Sequence, residues 1–250
     1  MRHVVETGST NDDLLAVATD DPTAARVALL ADHQTAGRGR LDRRWDAPAG
    51  SNLLCSLLIT PPAGDPGVAL QAVQHTVAIA ALDAARSLAG VDLGLKWPND
   101  LVVVASDGSW RKVAGMLSLA VPVATGTTPV PPRVIVGIGV NLGWAPEGGA
   151  RIVDPTGGTP SPREFLEAML PSVDALLSAG PTVIHERYRD HLDTLGRRVR
   201  VEQTGAEPIV GRAVDVDVDG RIVVLDDCAI SHRLGVGDVV HLRDAAPPCG

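Results

Sequence analysis

Residues 27–31 (Val-Ala-Leu-Leu-Ala) and 53–59 (Leu-Leu-Cys-Ser-Leu-Leu-Ile) are short apolar runs, and between them lies Gln34-Thr35-Ala36-Gly37-Arg38-Gly39-Arg40-Leu41-Asp42-Arg43-Arg44-Trp45. Apolar runs of this length read as buried strands, so the stretch between them is a loop presented by a rigid sheet. Gly37 and Gly39 let the backbone approach a partner closely. Arg38, Arg40, Arg43 and Arg44 add planar, permanently charged donors that match carboxylate and phosphate. The same composition suits a solvated basic turn, and the loop by itself leaves both readings open. Either way the scaffold beneath it is a sheet.

The 250 residues carry a formal net charge of −8, which argues against a general nucleic-acid surface and makes an arginine-rich loop an outlier. At this length the chain can bury a substantial core. No apolar run approaches a membrane span, and the first residues lack a signal-peptide core, so no membrane partner is expected. Cys55, Cys228 and Cys249 are scattered without metal-ligand spacing, which favours a reduced, cytoplasmic protein. His185 and His191 do not share a helical face, and no metal site is expected. Trp45, Trp97 and Trp144 each fall in or just after a segment marked by glycine or proline. Each is either a wall for a flat ligand or a plug closing the core.

Residues 3–6 read as a first strand. Ser9-Thr10-Asn11-Asp12-Asp13 then opens a helix, with acidic residues at the positive end of its dipole. The spacing of Val73, Val77, Ala80, Ala84 and Leu88 predicts a long helix over 68–88, closed by Gly90. Strands are predicted at 93–97, 101–105, 113–121 and 134–140, with a Pro-, Thr- and Gly-rich hairpin connection at 122–132. Ser161-Pro162-Arg163-Glu164 is a capping box. Its helix should bury Leu166, Leu170, Val173 and Leu177, and Pro171 should kink it or split it in two. A further helix is expected over 183–192. Beyond Gly196, Val214-Asp215-Val216-Asp217-Val218 alternates, which would put the valines on one face of a strand. Asp219-Gly220 is a hairpin turn signal leading to a return strand at 221–225. With 198–201 and 239–243 this makes a small all-β unit. The expectation is an α+β chain with domains at 1–195 and 196–250.

Four further segments look chemically committed. Ser9-Thr10-Asn11 is either simple capping or a set of donors for a polar heterocycle or an anion. Lys96-Trp97-Pro98-Asn99-Asp100 joins two strands, and Lys96, ending an apolar strand, needs an anionic partner in Asp100 or a ligand. Lys112 leads an otherwise apolar strand in which Gly115 suggests close approach of another group, although such a lysine also snorkels to solvent. Gly137-Ile138-Gly139-Val140-Asn141 has neither Rossmann nor P-loop spacing and reads equally as a strand packed closely on a neighbour.

Taken together, in this order, these segments resemble the biotin protein ligases, from Ser9 to Arg243. The departures are Leu41-Asp42, where the family pattern has an arginine or small residue followed by glycine, and the absence of the DNA-binding domain that precedes Ser-Thr-Asn in bifunctional members. The resemblance implies the monofunctional type. It also implies a mixed β-sheet with helices on it, as in class II synthetases, plus a small C-terminal SH3-like β-barrel. It implies formation of biotinyl-5'-AMP from biotin and ATP, with Mg²⁺, and transfer of biotin to a lysine of a biotin carrier protein such as a carboxylase domain. The catalytic residues would be Arg40, Lys112 and Asp100. Ser9, Thr10, Asn11, Gln34, Gly37, Arg38, Gly39, Arg40, Lys112 and Gly115 would hold biotin. Arg40, Arg43, Lys96, Asn99 and Asn141 would hold ATP. No DNA partner is expected, and a homodimer is left possible. The alternative is a lipoate or octanoate protein ligase of the same superfamily.

Overall fold

The computed structural model describes residues 1–41, 43–61, 66–105, 108–122, 132–203, 205–235 and 238–241. Asp42, most of the connection expected at 122–132, the end of the last strand at 242–243 and Cys249 lie outside the described residues.

The larger sheet has seven strands: β1 (Arg2–Thr7), β2 (Val27–Gln34), β3 (Leu53–Ile59), β4 (Gly94–Lys96), β5 (Asp100–Val104), β6 (Trp110–Ala120) and β7 (Val134–Val140), in the order β1-β2-β3-β7-β6-β5-β4. β1 and β2 run parallel across the helix α1 (Thr10–Asp20), and the remaining neighbours are antiparallel. Both faces of the central strands are covered, which is why β3 reads as an apolar run interrupted only by Ser56. Leu53, Cys55, Leu57 and Ile59 point into the main core beneath α2 (Pro66–Ala89), α3 (Pro162–Ala179) and α4 (Pro181–Asp190). On the opposite face Leu58 packs with Leu29 and Ile135 against Leu14 and Ala18 of α1. Arg133 is buried beside the far end of that helix, and its guanidinium donates to the Asp21 and Ala24 carbonyls at 3.0 and 3.4 Å. A cation there satisfies carbonyls that have no partner within the helix.

One expectation about the helices needs correction, and one of the two outcomes left open at Pro171 drops out. Leu88 is 39% exposed, although Val73, Val77, Ala80 and Ala84 are buried as predicted. Pro171 does not split its helix: α3 runs unbroken to Ala179. The proline sits on the exposed side, and buried Phe165, Leu166, Met169, Val173 and Leu176 hold the turns around it. Leu170 and Leu177 lie at the margin of that face. The capping box is present, with Ser161 Oγ accepting from the Glu164 amide and the Glu164 carboxylate accepting from the Ser161 amide.

The C-terminal residues form a five-stranded antiparallel sheet of the SH3-like kind. Its strands are β8 (Arg198–Gln203), β9 (Ala206–Val216), β10 (Ile222–Asp226), β11 (Ser231–Leu234) and β12 (Asp238–His241), in the order β11-β10-β9-β8-β12. Its end strands β11 and β12 are not joined to each other among the described residues. The valines of β9 do not share a face. Val214 is 42% exposed, whereas Ala213 and Val216 are buried, and Val218 lies beyond the end of the strand. Val223 pairs with Asp215 but Val224 pairs with Ala213, so Val214 is the extra residue of a bulge that resets the alternation. Among the described residues no helix is long and apolar enough to cross a membrane.

His75 of α2 is buried and stacks on Tyr188 of α4, with ring centroids 3.5 Å apart and planes 11° apart. Burial, aided by the neighbouring His185, pushes His75 down from 6.5 to about 3. A histidine depressed on folding is protonated first in the unfolded chain, so its stabilising effect is complete above 6.5 and is lost as pH falls toward 3. Chemical denaturation between pH 7 and 5 should show stability falling by up to about 1.4 kcal/mol per pH unit on this account. That slope should be absent in His75→Phe, which keeps the stack; an unchanged slope would remove His75 as its source.

Candidate active site

Where β6 and β7 lie side by side, the face shared with α1 has almost no side chains. Gly115 is the register partner of Gly139, and Leu117 that of Gly137. The three glycines make a floor of bare backbone beneath a cavity of about 400 Å³. At each, an added Cβ would crowd a neighbouring side chain. A Cβ on Gly137 would lie 2.5 Å from Asn11 Oδ1, one on Gly115 would lie 2.8 Å from Lys112 Nζ, and one on Gly139 would overlap the Trp45 indole.

The wall at the start of α1 is a closed polar network. Ser9 is the N-cap residue, but its side chain makes no capping bond, so the polar residues here do more than cap. Gln34 Oε1 accepts from the Thr10 amide at 2.8 Å and from its hydroxyl at 3.0 Å. The Thr10 hydroxyl also lies 2.7 Å from that of Ser56, which donates to Asn11 Oδ1 at 2.6 Å. Asn11 Nδ2 donates to the Leu117 carbonyl at 3.2 Å. Ser9, Thr10, Asn11 and Ser56 are all buried. Buried polar groups tied together in this way hold one geometry.

The arginine loop closes the opposite side as a small hairpin in which Arg38 bridges Arg44, Trp45 N donates to the Gly37 carbonyl at 3.0 Å, and Gly39 N donates to the Arg43 carbonyl at 2.6 Å. Arg38 reaches back to the Asp12 carboxylate in the first turn of α1. Leu41 takes the left-handed region with φ +54°, where a branched side chain is strained; this is the point at which the sequence departs from the family pattern. Arg40 Nη1 donates to Asn99 Oδ1 at 3.3 Å, and Asn99 Nδ2 donates to the Met116 carbonyl at 2.7 Å.

Lys112 and Asp100 form an ion pair of 2.6 Å at the cavity wall, and the Lys112 ammonium lies 5.3 Å from the centroid of the Trp45 ring. The partner of Asp100 is therefore Lys112. Lys96, its strand neighbour, is half-buried, and neither Lys96 nor Gly37 lines the cavity. Asn141 lines it, but its amide is spent within the protein: Nδ2 donates to the Lys112 and Ala150 carbonyls, and Oδ1 accepts from Asn52. Ser9, Thr10, Asn11, Gln34, Arg38, Gly39, Arg40, Arg43, Asn99, Asp100, Lys112 and Gly115 all line this one cavity.

Trp45 and Trp144 line the cavity, whereas Trp97 is buried away from it and does not. Sequence reasoning missed Ser56 and Asn52. Ser56 had a usable signal, a single hydroxyl in an otherwise apolar strand. Asn52, whose Oδ1 accepts from the Leu142 and Trp144 amides at 3.0 and 3.1 Å, had none. Cys55 lies under the floor, and burial pushes its thiol up to about 12, so it is not a nucleophile. Among the described residues no group of three or more His, Cys, Asp and Glu side chains converges to hold a metal.

Residues 8–141 match the biotin/lipoate A/B protein ligase family, and residues 194–241 match the biotin protein ligase C-terminal domain. The chain is 35% identical to the biotin–[acetyl-CoA-carboxylase] ligase of Mycobacterium tuberculosis, over 96% of this chain and 88% of that protein. It is 32% identical to the Paracoccus denitrificans protein of the same name, over 90% of each. Its fold is similar to that of the biotin protein ligase from Aquifex aeolicus in complex with biotin and ATP, with a TM-score of 0.74 at 23% identity, covering 96% of this chain and 97% of that one.

Proposed function

This chain belongs to the biotin/lipoate A/B protein ligase family, and we propose that it is an ATP-dependent ligase that makes biotinyl-5'-AMP and transfers biotin to a lysine of a carboxylase's biotin carrier domain. The observation that carries this reading is the make-up of one cavity: a neutral, hydrogen-bonded polar wall on one side, cationic groups on the other, and a backbone floor between them. A neutral wall suits the ureido ring of biotin. The cationic side suits the meeting of a carboxylate with a triphosphate.

In the first step a carboxylate oxygen of biotin bonds to the α-phosphorus of ATP, and the bond to the β-phosphate oxygen breaks, releasing pyrophosphate. Like charges meet there, so Arg40 and Lys112 neutralise them, each where charge builds up in the transition state. Arg43 and Asn99 serve the nucleotide, and Asn141 supports the strand end that carries it. Magnesium, if carried in on the triphosphate, would supply further charge neutralisation there, since no group of three or more His, Cys, Asp and Glu side chains among the described residues converges to hold it. In the second step the acceptor lysine's amine attacks the acyl carbon and AMP leaves. Asp100 is the carboxylate in reach of that amine, and it takes the proton once Lys112 has turned to the phosphate. We also place the division between the two domains at residues 195 and 196, just before β8.

Biotin-dependent exchange of labelled pyrophosphate into ATP tests the first step, and biotin transfer to a purified carrier domain tests the second. Both are expected with biotin and neither with octanoate. Exchange supported by octanoate and not by biotin would replace this reading with the lipoate-type alternative.

A further inference from the structure

Trp97 sits inside the Lys96–Asp100 turn but, unlike Asn99 and Asp100, does not line the cavity, and its bonds run the other way. Its indole Nε1 donates to the Gly220 carbonyl at 2.8 Å, and its backbone amide donates to the Thr194 hydroxyl at 3.0 Å. Trp97 and Thr194 are both buried. Gly220 belongs to the β9–β10 hairpin turn of the C-terminal sheet. That turn is rigid by its own bonds: the Asp217 carboxylate accepts from the Asp219 and Arg221 amides, each at 3.0 Å, and the Gly220 amide donates to the Asp217 carbonyl at 2.8 Å. It is also pressed against α2, since a Cβ on Gly220 would lie 2.7 Å from Gln71 Oε1.

The other end of the same five-residue segment faces the cavity. The Pro98 carbonyl accepts from Gln74 Nε2 at 2.9 Å, Asn99 is bonded to Arg40 and Met116, and Asp100 is paired with Lys112. One turn is thus fastened to the C-terminal sheet at Trp97 and presents Asn99 and Asp100 two and three residues later. We propose that Trp97 is a positioning residue, through which the β9–β10 turn of the C-terminal sheet holds Asn99 beside Arg40 and Asp100 beside Lys112 at the cavity wall. The C-terminal sheet then contributes to the chemistry without lending a side chain to the cavity. A separate contact joins α4 to β9, the Arg189–Asp215 ion pair of 2.8 Å, which involves neither Trp97 nor Gly220, so loss of docking and loss of positioning are separable.

The proposal rests on the ligase reading above, and its test separates the two. Trp97→Phe keeps the ring and removes the donor; Thr194→Val removes the second anchor, and Thr194→Ser restores it. Biotin affinity by titration, the KM for ATP and the rate of adenylate formation in a single turnover are measured on the full chain at a temperature where each variant is folded. Trp97→Phe and Thr194→Val are expected to lower the adenylation rate about tenfold or more, and to leave the biotin Kd within about twofold, because the polar wall at α1 does not touch the turn. Thr194→Ser and Arg189→Ala should keep wild-type kinetics. A purely structural Trp97 would lower Tm and leave kcat and KM for ATP unchanged, and that outcome overturns the proposal. Where Trp97→Phe does not fold, the Thr194 pair decides it. Absence of biotin-dependent exchange in the wild type would instead overturn the ligase reading.

Discussion

Replacing Lys112 by alanine is expected to slow biotinyl-adenylate formation about 10²–10³-fold, the usual effect of removing one group aimed at charge in a transition state. In the free protein this ammonium is held between the Asp100 carboxylate and the Trp45 ring, within the cavity where the phosphate is to react. Biotin affinity should change far less, since the Thr10–Asn11–Gln34–Ser56 network stands apart from it. Single-turnover chemistry with labelled ATP separates the rate from binding. The variant also leaves Asp100 without its cation, at a site where the carboxylate side chain is only 20% exposed. A double change of Lys112→Ala with Asp100→Asn should therefore recover part of the lost stability and none of the lost rate. Wild-type adenylation in Lys112→Ala would end the assignment.

Gly139→Val should empty the cavity of ligand while leaving the fold intact. Gly139 faces the Trp45 indole so closely that even one added carbon would overlap it. The strand beneath is paired on both sides, with β3 and with β6, so the ring must move and the sheet must not. Overpacking of this sort costs about 1–3 kcal/mol, and here it falls on the loop that closes the site, so biotin and ATP should each bind about 10- to 100-fold more weakly. Circular dichroism and Tm near those of the wild type, together with lost binding heat in calorimetry, are the expected pair of results. Normal affinity in this variant would mean that the ligands do not lie on the glycine floor.

The sequence carried most of this site because its residues announce themselves by being out of place. Arginines crowd a loop in an acidic chain, a lysine leads an apolar strand, and Gly115, Gly137 and Gly139 interrupt strands that should not tolerate them. What sequence could not give was direction. Sequence offered Asp100 as a partner for Lys96 alone, and its pairing with Lys112 of β6 becomes visible only in the cross-sheet geometry that brings that ammonium to the cavity. Trp45, Trp97 and Trp144 looked alike, and only the packing separates two that wall the cavity from one fastened to the C-terminal sheet. Asn141 does line the cavity, and the three bonds its amide makes within the protein could not be read from sequence. What sequence left open or misplaced in the fold has the same origin. Pro171 leaves a kink and a split both open until the burial of its neighbours is known, and the expected valine alternation fails because a bulge opposite Val223 and Val224 is a property of two strands, not of one.

Arg133 lies far from the cavity, yet it sets how accurately the cavity can be built. An 11-residue helix is about 16 Å long, so α1 acts as a lever whose working tip is Ser9-Thr10-Asn11. Tilting its foot by about 5° would swing that tip through more than 1 Å, a displacement that can cost about 10²-fold in rate. The guanidinium at the foot therefore sets the tolerance of contacts made at the opposite end of the rod.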